Sequence, residues 1–348
     1  MTPTSPSSPA SFPLALYLAD QAAEGEIAAL VQYTFFRPYL AELLEACVAV
    51  NLDLIVLKGA ALAETVYPRP SLRFFGDLDV LVRGADCDRA RAVLEGLGYT
   101  PDALQWEEMV QGRYCQTNFF KHPERGAVVA ELHTELLNNP FFFGRVKFDA
   151  EGTWERARRV TLAGEEAWVL GPEDQLLHLC LHLACHTLAA PSSLRDIEQI
   201  CQTSEVDWPL LLTIARQAQA TRACFAGLLA ANRLLGTPVP DSVLAALAPR
   251  FGGKLLRRLA LTRAADRAQG RTEFLRFPLL LCLLDTPAAR WSALLHLFVP
   301  TPRWLITHYY FEVFQEQEPM ALTRHAYYTL LGRHWMSLVP RLLKRIKT

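Results

Sequence analysis

Asp77 and Asp79 stand one residue apart at the mouth of an apolar run, in "RFFGDLDVLV" (73–82). In a strand, residues i and i+2 project from one face, so the two carboxylates would lie side by side. Carboxylates held that close repel one another unless a cation or a shared proton lies between them. A divalent ion resolves the conflict, because Mg²⁺ takes one or two carboxylates together with substrate phosphate oxygens. The plainer alternative has Asp77 capping a turn and Asp79 facing solvent at a strand edge. Two features elsewhere favour the cation. Glu131 lies in the middle of the otherwise apolar "VVAELHTEL" (128–136), where a carboxylate without a partner is costly. Upstream, "LKGAAL" (57–62) reads as a strand end, a Gly turn and a helix start, and the free N–H groups of a helix N-terminus suit phosphate.

Around these acids stand groups able to meet an anion. Lys58 at the strand end and Arg73, four residues before Asp77, are candidate phosphate ligands, the lysine as a point charge and the arginine through its two-pronged fork. A salt bridge to the acidic residues or a solvated loop side chain is the structural alternative for each. Gly59 is the turn residue that lets backbone approach phosphate. His133 shares a strand face with Glu131, which permits a supporting role beside the site or an ordinary place in the core. His178, His182 and His186 recur every four residues, so they form one stripe on a helix. The stripe spans about 12 Å, too long for all three to reach one ion. It suits a cleft lining, with His182 and His186 near nucleotide or acceptor, or a packed polar core. Arg195 and Asp196 are expected to pair beside it.

The elements that must position these residues follow from periodicity. Residues 1–13, rich in Pro and Ser, read as a disordered N-terminus, and 14–50 as a helical segment. The region 51–170 alternates strands and helices: strands in "LDLIVLKG", "LDVLV", "YCQTNFF" and "AVVAELHTEL", helices in "AALAETVY" and "DCDRARAVLEGLG", and a hairpin turning at Gly164. From 171 to 348 the pattern is helical, with breaks at Gly236-Thr237-Pro238, Gly252-Gly253 and Pro300-Thr301-Pro302. The chain has 348 residues, 51% hydrophobic and 20% charged, with a formal net charge of −1, which speaks against wholesale nucleic-acid binding and confines any polyanion site to a local patch. The C-terminal "RLLKRIKT" is basic enough for a solvated helix end or an acceptor patch. The longest stretch without Asp, Glu, Lys or Arg, Gln175 to Leu194, holds three histidines and a proline, so no membrane span is expected. Eight cysteines without a CxxC pair read as reduced thiols of a cytoplasmic protein.

Taken in order, "LKGAAL", "RFFGDLDVLV", "ELH", "LLHLCLHLACH" and "LRDIEQI", from about residue 52 to 200, resemble an uncharacterised nucleotidyltransferase family within the DNA polymerase beta-like superfamily. The resemblance implies an α+β protein: a small mixed-sheet nucleotidyltransferase domain with flanking helices, followed by an all-helical C-terminal domain. It implies a two-metal site of Mg²⁺ or Mn²⁺, with Asp77 and Asp79 on the ion that rides on the triphosphate of an NTP and, together with Glu131, on a second ion near the acceptor. It implies further that Lys58, Gly59 and Arg73 meet the triphosphate, and that His133, His182 and His186 stand close by. A nucleoside monophosphate would pass to an acceptor, whether peptide, protein, tRNA or small molecule, and pyrophosphate would leave. In one place the chain departs from the superfamily: Gly59-Ala60 replaces the usual Gly-Ser, which keeps open a catalytically inactive member that binds nucleotide or partner. The other alternative is a sugar-nucleotide glycosyltransferase, which also uses a strand-end DxD. Such enzymes need a larger α/β region before that motif than is present here.

Overall fold

In the computed structural model the described residues are 11–110, 115–122, 127–137, 139, 141–266, 275–300 and 328–336. Helix α1, Ser11–Ala49, leads into strand β1, Ile55–Val56, and helix α2, Lys58–Thr65. Strand β2, Leu78–Leu81, helix α3, Cys87–Gly96, strand β3, Thr100–Pro101, and helix α4, Ala103–Val110, follow. Strands β4, Gln116–Lys121, and β5, Val128–His133, are succeeded by helix α5, Ala150–Glu155, and by the hairpin of β6, Arg158–Leu162, and β7, Glu165–Val169. These strands form one seven-stranded sheet in the order β3-β4-β5-β2-β1-β7-β6. Its centre is mixed: β2 runs parallel to β5 and antiparallel to β1, and β1 runs parallel to β7.

Every residue of β1 and β2 is buried, as expected of strands covered on both faces. On one face, Phe36, Leu40, Leu43, Leu44 and Cys47 of α1, spaced as a helical stripe, pack with Ala90 and Leu94 of α3 against Val56, Val80 and Leu132. On the other face lies a smaller cluster of Ile55, Leu57, Leu81, Leu136 and Leu170, flanked by Trp154 and Phe148. Asp79, two residues before Leu81, projects toward this second face.

The remaining described chain is helical: α6, Pro172–Cys185; α7, Pro191–Thr203; α8, Trp208–Gln217; α9, Thr221–Leu235; α10, Asp241–Leu247; α11, Gly253–Ala264; α12, Arg276–Leu283; α13, Pro287–Phe298. Helix α6 is buried around nearly its whole circumference, which identifies it as the central helix of this part. A Cβ on Gly227 of α9 would stand 2.7 Å from the Cys180 sulfur of α6, so that glycine sets how closely the two helices approach. Helix α2 joins the two parts. Ala60, Ala61 and Ala63 face the sheet core, while Leu62 and Val66 belong to the helical core.

Several expectations are refined. The first strand is two residues long, because Lys58 already turns into α2. Asp77 precedes β2 instead of lying in it. Helices α4 and α5 and strand β3 carry no strong periodic signal and were not expected. Helix α1 begins at Ser11; residues 1–10, where most of the expected disordered terminus falls, lie outside the described residues, as do Thr301-Pro302 and the basic 341–348. All eight cysteines are free thiols. Among the described residues no helix is long and apolar enough to cross a membrane.

Candidate active site

The site is built where β1, β2 and β5 run side by side. Parallel pairing sets Asp79 opposite Glu131 and Leu81 opposite His133. Glu131 and His133 alternate with Leu132, so both point to the face that carries Asp79. The Leu57 N–H donates to the Asp79 carbonyl at 2.9 Å, which brings the next residue, Lys58, beside the same carboxylate. Its Nζ donates to Asp79 Oδ1 at 2.6 Å, and His133 Nε2 lies 3.0 Å from that oxygen and 3.6 Å from Glu131 Oε2. Single ligand atoms from Asp79, Glu131 and His133 all lie within 4.8 Å of one another.

Asp79 is 3% exposed. Burial alone would raise its pKa; the Lys58 ammonium and the His133 hydrogen bond reverse this and hold the carboxyl well below the usual range. Lys58 is the converse case, where burial works against the charge but Asp79, then Glu131 and Asp77, keep the ammonium above its ordinary value. Asp77 lies at the edge of the cluster, and burial, then the charges of Asp79 and Glu131, push its carboxyl up to about 6. Two groups stand against these carboxylates: the Lys58 ammonium, and His133, where burial opposes the charge but hydrogen bonds to Asp79 and Glu131 raise the pKa above its ordinary value.

The backbone pays attention to Lys58 in a measurable way. Lys58 has φ = +46°, a left-handed conformation that costs a residue with a side chain roughly 1 kcal/mol or more, and it falls on the residue that touches Asp79. Gly59 does not carry the positive φ. It lacks a side chain because a Cβ there would overlap the Cβ of Phe75, in the loop leading to Asp77. Gly59→Ala is accordingly expected to destabilise the fold by about 1–3 kcal/mol through overpacking, read as a lower urea midpoint with unchanged slope. Ala60, 2% exposed, is packed into the sheet core, a position with no need of the superfamily's hydroxyl for stability.

Arg73 meets a partner that its sequence neighbourhood does not suggest. Nε and Nη2 grip Asp196 of α7 at 2.7 and 2.8 Å, Nη1 donates to the Phe74 carbonyl, and the Tyr67 hydroxyl donates to Asp196 at 2.7 Å. The expected Arg195–Asp196 pair is therefore replaced: Asp196 holds Arg73, and Arg195 pairs with Glu198 at 3.3 Å. With its three nitrogens engaged, Arg73 ties the loop before Asp77 to the helical part.

The stripe that begins on α6 lies near enough to Lys58 for its charge to act on all three histidines. His178 is 1% exposed and its Nε2 has no hydrogen-bond partner among the described residues; the His182 and His186 rings lie 4.7 Å apart, and His182 Nδ1 is 3.2 Å from Ser193 Oγ. Burial, then the nearby Lys58 charge, hold His178 well below its ordinary pKa, His182 down to about 3, and His186 below its usual value. These rings are neutral at pH 7. An unfolded histidine binds its proton near pH 6.5, so between that value and about 3 the unfolded chain takes up protons that folded His182 refuses. Stability present above pH 6.5 is then lost on acidification, by up to about 1.4 kcal/mol per pH unit for each such histidine. Urea midpoints measured from pH 7 to pH 5 are expected to fall, and to fall less steeply in His178→Gln/His182→Gln.

The structure thus sets Asp79 and Glu131 in register on parallel neighbouring strands, with the Lys58-Gly59 helix start against Asp79. Residues 16–236 match the family described as "Uncharacterised nucleotidyltransferase", and the chain belongs to that family. The chain is also similar to the crystal structure of an antigenic nucleotidyltransferase-like protein from Paracoccidioides brasiliensis, at 16% identity and a TM-score of 0.39, over 61% of this chain and 92% of that one. No curated protein matches it.

Proposed function

We propose that the protein transfers a nucleoside monophosphate from an NTP to an acceptor, with the Asp79-Glu131-Lys58 cluster at the reacting centre. The observation that carries this reading is the register pairing of Asp79 with Glu131, which sets two carboxylates on one face of neighbouring strands beside a buried ammonium. The donor set fits a divalent cation: carboxylate oxygens of Asp79 and Glu131 clustered with one imidazole nitrogen, that of His133. Asp77, Asp79 and Glu131 would hold Mg²⁺ or Mn²⁺, which when bound neutralises the triphosphate and stabilises the charge that develops in displacement at phosphorus.

The chain's own residues account for the rest. Lys58 is positioned to move from Asp79 to a phosphate oxygen, at the N-terminus of α2 whose free N–H groups favour an anion. Glu131, partly exposed at 19%, accepts the proton of the acceptor hydroxyl. The acceptor oxygen bonds to the α-phosphorus, the bond from that phosphorus to the bridging oxygen breaks, and pyrophosphate leaves. Arg73, held by Asp196, fixes the loop that presents Asp77. The buried, neutral His178 and the half-buried His182 of α6 stand on the side of the helical part. The test is incubation of the purified protein with Mg²⁺ or Mn²⁺, NTPs labelled at the α-phosphorus and an extract supplying acceptors. Labelled product and pyrophosphate are expected; absence of both with every NTP and ion contradicts the reading.

A further inference from the structure

We propose that His133 is itself a ligand of the bound cation, so that the site takes a first-row transition ion such as Mn²⁺ in preference to Mg²⁺. This rests on the reading above that Asp79 and Glu131 hold a divalent cation. The strand register places the His133 ring on the same face as both carboxylates, and its described polar contacts run through Nε2, 3.0 Å from Asp79 Oδ1 and 3.6 Å from Glu131 Oε2. Adjacent ligands on an ion with bonds of about 2.1 Å lie about 3 Å apart, and opposite ones about 4.2 Å. The 3.0 and 3.6 Å separations from Nε2 fall within this range, and single donor atoms of all three residues lie within 4.8 Å of one another. At 1% exposure the ring has no solvent to turn toward.

The chemistry of the donor set then decides the ion. A site of carboxylates and water suits Mg²⁺, whereas an imidazole nitrogen is a softer donor that Mn²⁺, Fe²⁺, Co²⁺ and Zn²⁺ accept and Mg²⁺ resists. One nitrogen among the oxygens therefore shifts selectivity without abolishing binding of a hard ion. Lys58 Nζ, 2.6 Å from the oxygen that His133 also approaches, supplies positive charge at the same point, and an arriving ion frees it for phosphate.

The test uses the full-length protein loaded with Mn²⁺ and read by pulsed electron paramagnetic resonance, together with calorimetric titration of Mn²⁺ and of Mg²⁺. The expected result is a nitrogen coupling from directly bound imidazole in the wild type, lost in His133→Gln, and Mn²⁺ affinity exceeding that for Mg²⁺ by about tenfold or more, with the ratio collapsing in the variant. A positioning role for His133 would weaken both ions alike and give no nitrogen coupling. Mn²⁺ bound without that coupling, or Mg²⁺ bound as tightly as Mn²⁺, overturns the inference and leaves the nucleotidyltransferase reading standing. Wild-type protein that binds neither ion overturns both. The wild-type spectrum decides the matter even if His133→Gln fails to fold.

Discussion

Asp79→Asn is expected to suppress the proposed nucleotidyl transfer while leaving the sheet assembled. The carboxylate is the common partner of Lys58 and His133 and the register neighbour of Glu131, so replacing it by an amide of the same shape removes the charge around which the cluster is organised. A fall of at least about a hundredfold is expected, the scale on which loss of one preorganised electrostatic group is felt. Stability should change less. Lys58 loses its counter-charge, but its side chain is 17% exposed and can turn to water, so about 1–3 kcal/mol is the expected penalty for a broken buried polar contact. Transfer assays and urea denaturation on the same preparation separate the two effects. Retained transfer in a folded Asp79→Asn protein would remove this residue from the mechanism.

Asp196→Ala is expected to show the opposite balance, with a larger loss of stability. Asp196 is fully buried, and the change leaves Arg73, 15% exposed, as an unpaired cation and strips the Tyr67 hydroxyl of its acceptor. Breaking a buried pair from one side costs about 3–5 kcal/mol. Because the pair ties α7 to the loop before Asp77, transfer should fall as well, without Asp196 touching substrate. The variant Tyr67→Phe/Arg73→Met/Asp196→Leu, which removes every polar partner together, should regain much of the stability, since apolar replacement of a buried ion pair is often neutral or favourable. It should not regain full activity if the loop's position depends on the arginine fork. A loss below about 1 kcal/mol in Asp196→Ala would mean that the bridge is not structural.

The candidate site was legible in the sequence because its chemistry is local. The Asp-Leu-Asp spacing, the Lys-Gly helix start and a Glu inside an apolar strand each break a pattern, and each break marks a residue that the fold brings to the cluster. What was not legible depends on contacts far apart in the chain. Asp196 lies 123 positions from Arg73, and nothing in "LRDIEQI" distinguishes a partner for a distant arginine from one for the neighbouring Arg195. The place of His133 beside Asp79 was open for the same reason: its face follows from alternation, but its distance from Asp79 follows from the β2–β5 pairing. The strand order could not be read either, because β1 and β2 pair antiparallel across a long connection while β1 also pairs with the distant β7. The helical C-terminal part, in contrast, follows from helical patterning between recognisable Gly and Pro breaks and from Pro172 and the acids at the start of α6.

The central claim is that one cluster of Asp79, Glu131 and Lys58 binds a metal-loaded nucleoside triphosphate. Calorimetric titration of each of the four NTPs into the wild-type protein, with Mn²⁺ present and again with the ion removed by chelation, tests it most directly. The account predicts saturable binding of at least one NTP with the ion, weakened by about tenfold or more both by chelation and by Asp79→Asn. Failure of all four NTPs to bind with either Mn²⁺ or Mg²⁺, or binding indifferent to the ion and to Asp79, would contradict it.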